Sequence, residues 1–367
     1  MTDEVRIGVV GTGMIGKSHI RNYAGIPGVN VVAVADIDAP EAQRVAAANG
    51  IPNVFTDFRR ILAMDDVQAV DVCVHNNKHA PITIAALEAG KHVYCEKPMA
   101  GSYYDARAMM EAAKRTDRML HIQLSTLYSK EHKAAKRMIQ EGLLGKIYYA
   151  RSHGFRRRGR VYVDGYGTPP FVQRAESGGG ALFDMGVYHL AQVLDLLGNP
   201  DVETVTGATH QEIDMYEEPA RRAGYSVEEL GVGFARLAGG ISLAIEESWA
   251  IHYEDSESSK ILGAKGGLKL NPLTYFTTQA DIEVSAQVDV NGADYRWHRW
   301  TADYDSYDSS QHHWVAALRG RVPLLPTAAL ALKVAQISEG IYMSQALGRE
   351  VSAAEVVEKS RSTVLPV

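Results

Sequence analysis

Residues 183–189 read FDMGVYH and follow three consecutive glycines, Gly178, Gly179 and Gly180. Asp184, Tyr188 and His189 can each hold or pass a proton, which makes the segment a candidate for general acid–base work. At about 100° per residue in a helix, Asp184 and Tyr188 project from nearly the same face and His189 is rotated away. Helical geometry therefore pairs Tyr188 with Asp184 behind a flexible glycine hinge. The plain alternative is that Asp184 caps a helix and that Tyr188 and His189 only pack.

The elements that must position such a segment begin at the N-terminus. The apolar run VRIGVV at 5–10 leads into GTGMIG, a plausible helix, and the strand VNVVAVAD at 29–36. Gly11, Gly13 and Gly16 have the spacing of a dinucleotide fingerprint: a tight turn, close approach to a pyrophosphate, and close helix–strand contact. Thr12, Met14 and Ile15 complete that turn, and the helix start offers amide groups to phosphates. Asp36 follows Gly16 by 20 residues, where a carboxylate binds the adenosine ribose and repels a 2′-phosphate. The cofactor expected is NAD, not NADP.

Strands and helices go on alternating through AVDVCVH at 69–75, HVYCEKP at 92–98 and TDRMLHIQLS at 116–125. Such alternation calls for a parallel, doubly wound sheet, an N-terminal Rossmann domain over residues 1–125. Lys97, directly after a strand end between Glu96 and Pro98, lies where ligands bind in such sheets. Gln123, at the last strand end, faces either the nicotinamide and sugar or solvent. Residues 126–367 change character. Runs at 147–154, 202–211, 232–250 and 265–272, with turns such as AGG at 238–240, indicate a large, mostly antiparallel open sheet, followed by a long helix near 327–347.

The 367 residues carry 38 Lys+Arg against 44 Asp+Glu, a net charge of -6, which disfavours a nucleic-acid partner. No run of apolar residues is long enough for a membrane span, and no export leader is visible. Cys73 and Cys95 lie in apolar runs without metal or disulfide spacing, as expected for buried thiols in the cytoplasm. The 13 histidines include no carboxylate and histidine set at ligand spacing, so no metal is expected.

GTGMIG, HAPITIAALEAGKHVYCEKP, GGGALFDMGVYH and GAKGGLKLNP together resemble the Gfo/Idh/MocA oxidoreductase family, the group of glucose–fructose oxidoreductase and inositol 2-dehydrogenase. The resemblance covers nearly the whole chain. It implies a Rossmann domain plus a C-terminal α/β domain, one face of whose sheet holds substrate while the other serves a homo-oligomer, dimer or tetramer. Lys97 matches the family's catalytic lysine, whose ammonium polarises a carbonyl or stabilises an alkoxide. Many relatives carry Asp-x-x-x-His after the glycines; here Tyr188 stands in the histidine's place and His189 follows. The resemblance thus favours Tyr188, its pKa lowered by Lys97, as the proton-transfer group with Asp184 orienting it, and His189 where the backbone is not helical. It also assigns Asn76 and His79 to the cofactor wall, while Glu96 either sets the position and charge of Lys97 or touches the cofactor. His75 is expected to pack at its strand end.

The segment FRRRGRVYVDGYGTPPFVQ at 155–173 mixes guanidinium, carboxylate and aromatic groups suited to a polyhydroxylated ring. Arg156, Tyr162 and Asp164, with Lys97, Asp184 and His189, are the expected substrate contacts. The expected reaction is NAD-dependent oxidation of a secondary hydroxyl of a sugar, glycoside or inositol to a keto-sugar, and HIQLSTLYSKEHKAAK at 121–136 with FRRRGR at 155–160 resembles the glycoside 3-dehydrogenases that oxidise C3 of a glucosyl unit. The rival substrate is a phosphorylated sugar. The rival functions are an NAD-dependent glycosidase that recycles its cofactor and a non-catalytic NAD-sensing regulator of the same fold.

Overall fold

The run Val5–Val10 is apolar at nearly every position because both its faces are covered. It is the central strand β1 of a parallel sheet that continues with β2 (Val29–Ala35), β3 (Asn53–Phe55), β4 (Ala69–Val72), β5 (His92–Cys95) and β6 (Leu120–Ile122), in the computed structural model, which describes residues 4–253 and 258–367. The order β3-β2-β1-β4-β5-β6 reverses direction between β1 and β4. A crevice opens at the carboxyl ends of those two strands. Helix α1 (Met14–Ala24) crosses from β1 to β2 and buries Gly16, His19, Ile20 and Tyr23, spaced to form one face.

The second sheet contains β7 (Ile147–Phe155), β8 (Val202–His210), β9 (Leu230–Leu237), β10 (Ile241–Ser248), β11 (Lys260–Gly263), β12 (Gly267–Leu270), β13 (Leu273–Gln279), β14 (Ile282–Gln287) and β15 (Val351–Ser352). Its order is β14-β13-β12-β11-β7-β10-β9-β8-β15. Every neighbouring pair is antiparallel except β7 and β10, which run parallel. Their carboxyl ends, Phe155 and Ser248, lie side by side, so Arg156 and Trp249 emerge together. The hairpin β13–β14 was not expected from sequence. Ile282–Gln287 is exposed along most of its length, so no apolar alternation marks it; the turn shows only as Ala280 and Asp281 at positive φ.

The helix Thr327–Leu347 falls where the sequence predicts it. One cluster of buried side chains runs from Val93 and Ile122 of the parallel sheet through Ile337 and Ile341 of that helix to Leu243 and Ile245 of β10. The two sheets are therefore joined by continuous apolar packing. Among the described residues no helix is long and apolar enough to cross a membrane.

A histidine in this frame sets an acid limit on stability. His313 is fully buried, and its Nε2 accepts the Leu325 amide at 2.9 Å, which requires a neutral ring. Burial lowers its pKa from 6.5 to about 4. The unfolded chain takes up the proton first, so this contribution is complete above about pH 6.5 and is lost as pH falls towards 4, a change of about 3 kcal/mol. His313→Gln, whose side-chain oxygen can replace Nε2, should remove that part of the acid slope in a series of melting temperatures; an unchanged slope would assign it to other groups.

Candidate active site

The glycine turn after β1 has the features a dinucleotide requires. Gly11 is at φ +96, and a Cβ on Gly16 would lie 2.0 Å from the Gly11 carbonyl, whereas a Cβ on Gly13 would meet nothing within 4 Å. The open side of Gly13 faces the start of α1, which has no side-chain cap, so its first amides can bind an anion. Met14 and Ile15 are exposed there. Asp36 directly follows β2 and accepts the Thr12 amide and hydroxyl at 2.7 and 3.0 Å on one oxygen and the Asp38 amide on the other. Gln123 Oε1 is buried without a hydrogen-bond partner among the described residues, an acceptor awaiting a donor beside the crevice. These residues fit NAD.

Thr12 of the turn and His79 of the expected cofactor wall are both turned inward. Thr12 is fully buried and spends its donors on Asp36, so it fixes the ribose carboxylate without facing the crevice. His79 is also fully buried, with Nδ1 2.8 Å from the Pro98 carbonyl and Nε2 3.0 Å from that of Val74. Burial lowers its pKa, and a neutral ring donates to only one of the two carbonyls. It latches the strand-end loops together from inside. Asn76 donates to the Ser177 carbonyl at 2.8 Å, tying the crevice wall to the segment before the glycines. His75 packs edge-on against Phe171 at 5.2 Å, as expected.

Lys97 follows β5 and reaches across to the glycine-led segment. Its Nζ donates to Asp184 Oδ1 at 2.7 Å and to the Asp184 carbonyl at 2.9 Å. Burial pulls its pKa down, but the charges of Asp184 and Glu96 outweigh that and the net shift is upward. The ammonium is charged throughout the neutral range. Asp184 Oδ2 accepts the Trp249 indole N–H at 3.0 Å and lies 3.8 Å from Arg156. Burial opposes its ionisation, yet Lys97 prevails and its pKa falls below the usual value.

The glycines in front are not a flexible hinge. A Cβ on Gly180 would lie 2.0 Å from the Glu228 carbonyl and one on Gly178 2.6 Å from that of Gly101, so they are there for close approach. The buried Glu228 carboxylate accepts the Gly180 and Leu182 amides at 3.0 and 3.1 Å and the Tyr342 hydroxyl at 2.8 Å. That carboxylate, not Asp184, satisfies the start of the helix Ala181–Asp184.

Tyr188 and His189 both lie in the helix Gly186–Leu196, and their surroundings differ from expectation. The Lys97 ammonium sits over the Tyr188 ring, 4.8 Å from its centroid. Burial raises the phenol pKa, and the Lys97 charge only partly offsets it. The expected lowering is reversed. His189, rotated away as its position requires, meets Glu247 of β10 at 2.8 Å through Nδ1. Glu247 is fully buried and its other oxygen accepts the Ser152 hydroxyl at 2.7 Å. Sequence reasoning missed Glu247, although the alternation Leu243, Ile245, Glu247, Trp249 places a carboxylate on an apolar face.

In the 155–173 segment Arg156 donates to the Tyr166 hydroxyl at 2.7 Å, and Tyr162 packs partly buried beside the cluster of Val161, Val172 and Trp249. Asp164, an expected substrate contact, is largely buried. It accepts the Arg160 amide at 2.8 Å and Arg160 Nε at 3.0 Å, and is consumed as an internal counter-charge.

The chain matches the family model described as "Oxidoreductase family, NAD-binding Rossmann fold" over residues 5–124 and the GFO/IDH/MocA C-terminal domain over residues 132–269. D-glucoside 3-dehydrogenase of Escherichia coli K12 is 27% identical over 95% of this chain and 97% of its own length. Inositol 2-dehydrogenase of Salmonella typhimurium LT2 is 32% identical over 55% of this chain and 56% of its own. The structure of levoglucosan dehydrogenase in complex with NADH and levoglucosan superposes with a TM-score of 0.77 at 25% identity, covering 95% of this chain and 99% of that one. The glycine turn, the sheet order and these two matches, which span well over half of the chain, lead to one conclusion: the protein belongs to the Gfo/Idh/MocA family of NAD-binding oxidoreductases.

Proposed function

We propose that the protein oxidises a secondary hydroxyl of a glycoside or related sugar, with C3 of a glucosyl unit as the favoured carbon. The observation that carries the reading is the Lys97–Asp184 pair at the mouth of the NAD crevice. NAD, when bound, supplies the hydride acceptor. Lys97 uses two of its three N–H groups on Asp184, which aims the third at a substrate oxygen and stabilises the charge that develops there. Asp184 fixes that ammonium. His189 is favoured over Tyr188 as the proton acceptor, because Glu247 holds its Nδ1 hydrogen and makes Nε2 the basic nitrogen. Arg156, Tyr166 and Tyr162 form a rim suited to sugar hydroxyls and C–H faces. The relative that oxidises D-glucosides, similar along nearly its whole length, supports the glycoside. A homo-oligomer through the second sheet is supported by the exposed Tyr148, Phe276 and Ile282, and sedimentation velocity measures it directly.

The test is NADH absorbance with NAD and a panel of glycosides, free sugars, inositols and sugar phosphates. NADH accumulation with glucosides and a 3-keto product is the expected result. Accumulation only with inositols or phosphates would overturn the substrate class. Release of aglycone without NADH would replace the dehydrogenase by a reaction that recycles its cofactor.

A further inference from the structure

His19 lies on the buried face of α1, beneath the glycine turn, and the chemistry described so far does not use it. Its side chain is 5% exposed. Nδ1 is 2.9 Å from Asp71 Oδ2, and Nε2 is 2.9 Å from Glu96 Oε1. Two carboxylates thus face the two ring nitrogens. Ionised carboxylates only accept, so the ring satisfies both by carrying a hydrogen on each nitrogen. The other titratable groups around it are Cys73, 3.3 Å from Nδ1, Tyr94, edge-on at 5.5 Å, and Tyr23 of the same helix, buried against Asp71. Burial disfavours the charged ring, but Asp71 and Cys73 oppose it and the pKa of His19 is raised.

The second Glu96 oxygen accepts the Lys97 backbone amide at 3.0 Å. Charges therefore alternate from the sheet core to the cleft: Asp71, His19, Glu96, Lys97, Asp184. If the ring were removed, Glu96 is the anion that would lose its cation beside the catalytic ammonium. A Glu96 carboxylate released from His19 would seek the nearest cation, Lys97, and compete with Asp184 for it.

We propose that His19 is a positioning residue for hydride transfer: held between Asp71 and Glu96, it anchors the Glu96 carboxylate under the Lys97 peptide and keeps the Lys97 ammonium committed to Asp184 and substrate. The inference rests on the reading that Lys97 works at the reacting carbon.

The two amide variants separate the two sides of the clamp. Asparagine places its NH2 near Nδ1 and reaches Asp71; glutamine places it near Nε2 and reaches Glu96. In protein shown to be folded by its melting curve, His19→Asn should lower kcat about 10- to 100-fold, with the KM for the sugar and the NADH dissociation constant within about threefold. His19→Gln should retain more kcat than His19→Asn, and adding it to Glu96→Gln should cost nothing further. Equal loss in both amides, tracking stability, would reduce His19 to a packing residue and overturn the proposal. So would full kcat in His19→Asn, or additive losses with Glu96→Gln. If His19→Asn does not fold, His19→Gln and the cycle with Glu96→Gln decide by the same criteria.

A measurement without turnover checks the clamp itself. In protein labelled with ¹⁵N-histidine, without ligand, both ring N–H signals of His19 should persist well above the ordinary histidine pKa of about 6.5; a single N–H would overturn the proposal. Lys97→Met separates the two readings. If it retains kcat, the assignment of Lys97 has failed; if it is inactive while the His19 variants turn over normally, only the role of His19 has failed.

Discussion

Lys97→Met is expected to lower kcat by about 10²- to 10³-fold, or 2.7–4 kcal/mol of transition-state stabilisation, while the NADH dissociation constant changes by less than about threefold. The ammonium is mostly buried, bonded twice to Asp184, and charged because its neighbours outweigh the cost of burial. A preorganised charge of this kind does not have to be drawn out of water when an alkoxide forms, which is where its effect arises. Methionine keeps most of the length of the side chain and removes the charge and the donors that hold Asp184. The upward shift of Lys97 and the downward shift of Asp184 also fix the sign of the pH response. This pair stays ionised from about pH 5 to 9, so any limb of the kcat profile inside that window comes from another group. Turnover retained by Lys97→Met would remove this lysine from the chemistry.

Arg160→Met should be the most destabilising substitution near the cleft, by about 3–5 kcal/mol, read from the midpoint of a denaturant titration. The Arg160 side chain is fully buried. Its guanidinium meets Asp164 through Nε and Nη2, Glu229 and the Ile213 carbonyl through Nη1, and the Asp214 carbonyl through Nη2. Glu229 in turn accepts the amides of Glu212 and Ile213. Methionine fills part of the volume but leaves the buried Glu229 without its cation and Asp164 with only Arg158, 4.0 Å away, and that uncompensated charge is the main cost. Arg160→Lys should recover only part of the loss, because one ammonium lacks the planar fork that serves both acids and the carbonyls. Because Arg156 and Tyr166 belong to the same segment, the KM for the sugar should rise in any Arg160 variant that folds. A loss below about 1 kcal/mol would show that the segment is held by other contacts.

Local patterns in the sequence carried the architecture. The glycine spacing, the strand ending in Asp36 and the long helix near 327–347 are short-range features, and the structure contains each of them. The chemistry was less legible because its partners are remote in sequence. Helical spacing placed Asp184 and Tyr188 together but carried no information on Lys97, 87 residues away in the chain, which claims the carboxylate. Thr12, His79 and Asp164 have residue types suited to ligand binding, yet each spends its polar atoms on the protein itself. Nothing in their own neighbourhood of sequence distinguishes those two uses. Glu247 and His19 escaped notice for the converse reason. Their partners, His189 and Asp71, lie 58 and 52 positions away, and the residues beside Glu247 and His19 in the chain give no sign of what each will meet.

The Lys97–Asp184 contact also bears on how such chains diversify. Its lysine follows a strand of the parallel sheet and its aspartate sits against the strand ends of the other. A recombination that exchanges everything after the first sheet for the equivalent part of a relative would yield a working hybrid only if the incoming half supplied an acid at that point. The two halves are thus heritable as a matched set. Novelty is least constrained in the rim between them, at Tyr162 and Tyr166, whereas Arg156, 3.8 Å from Asp184, is tied to the shared pair.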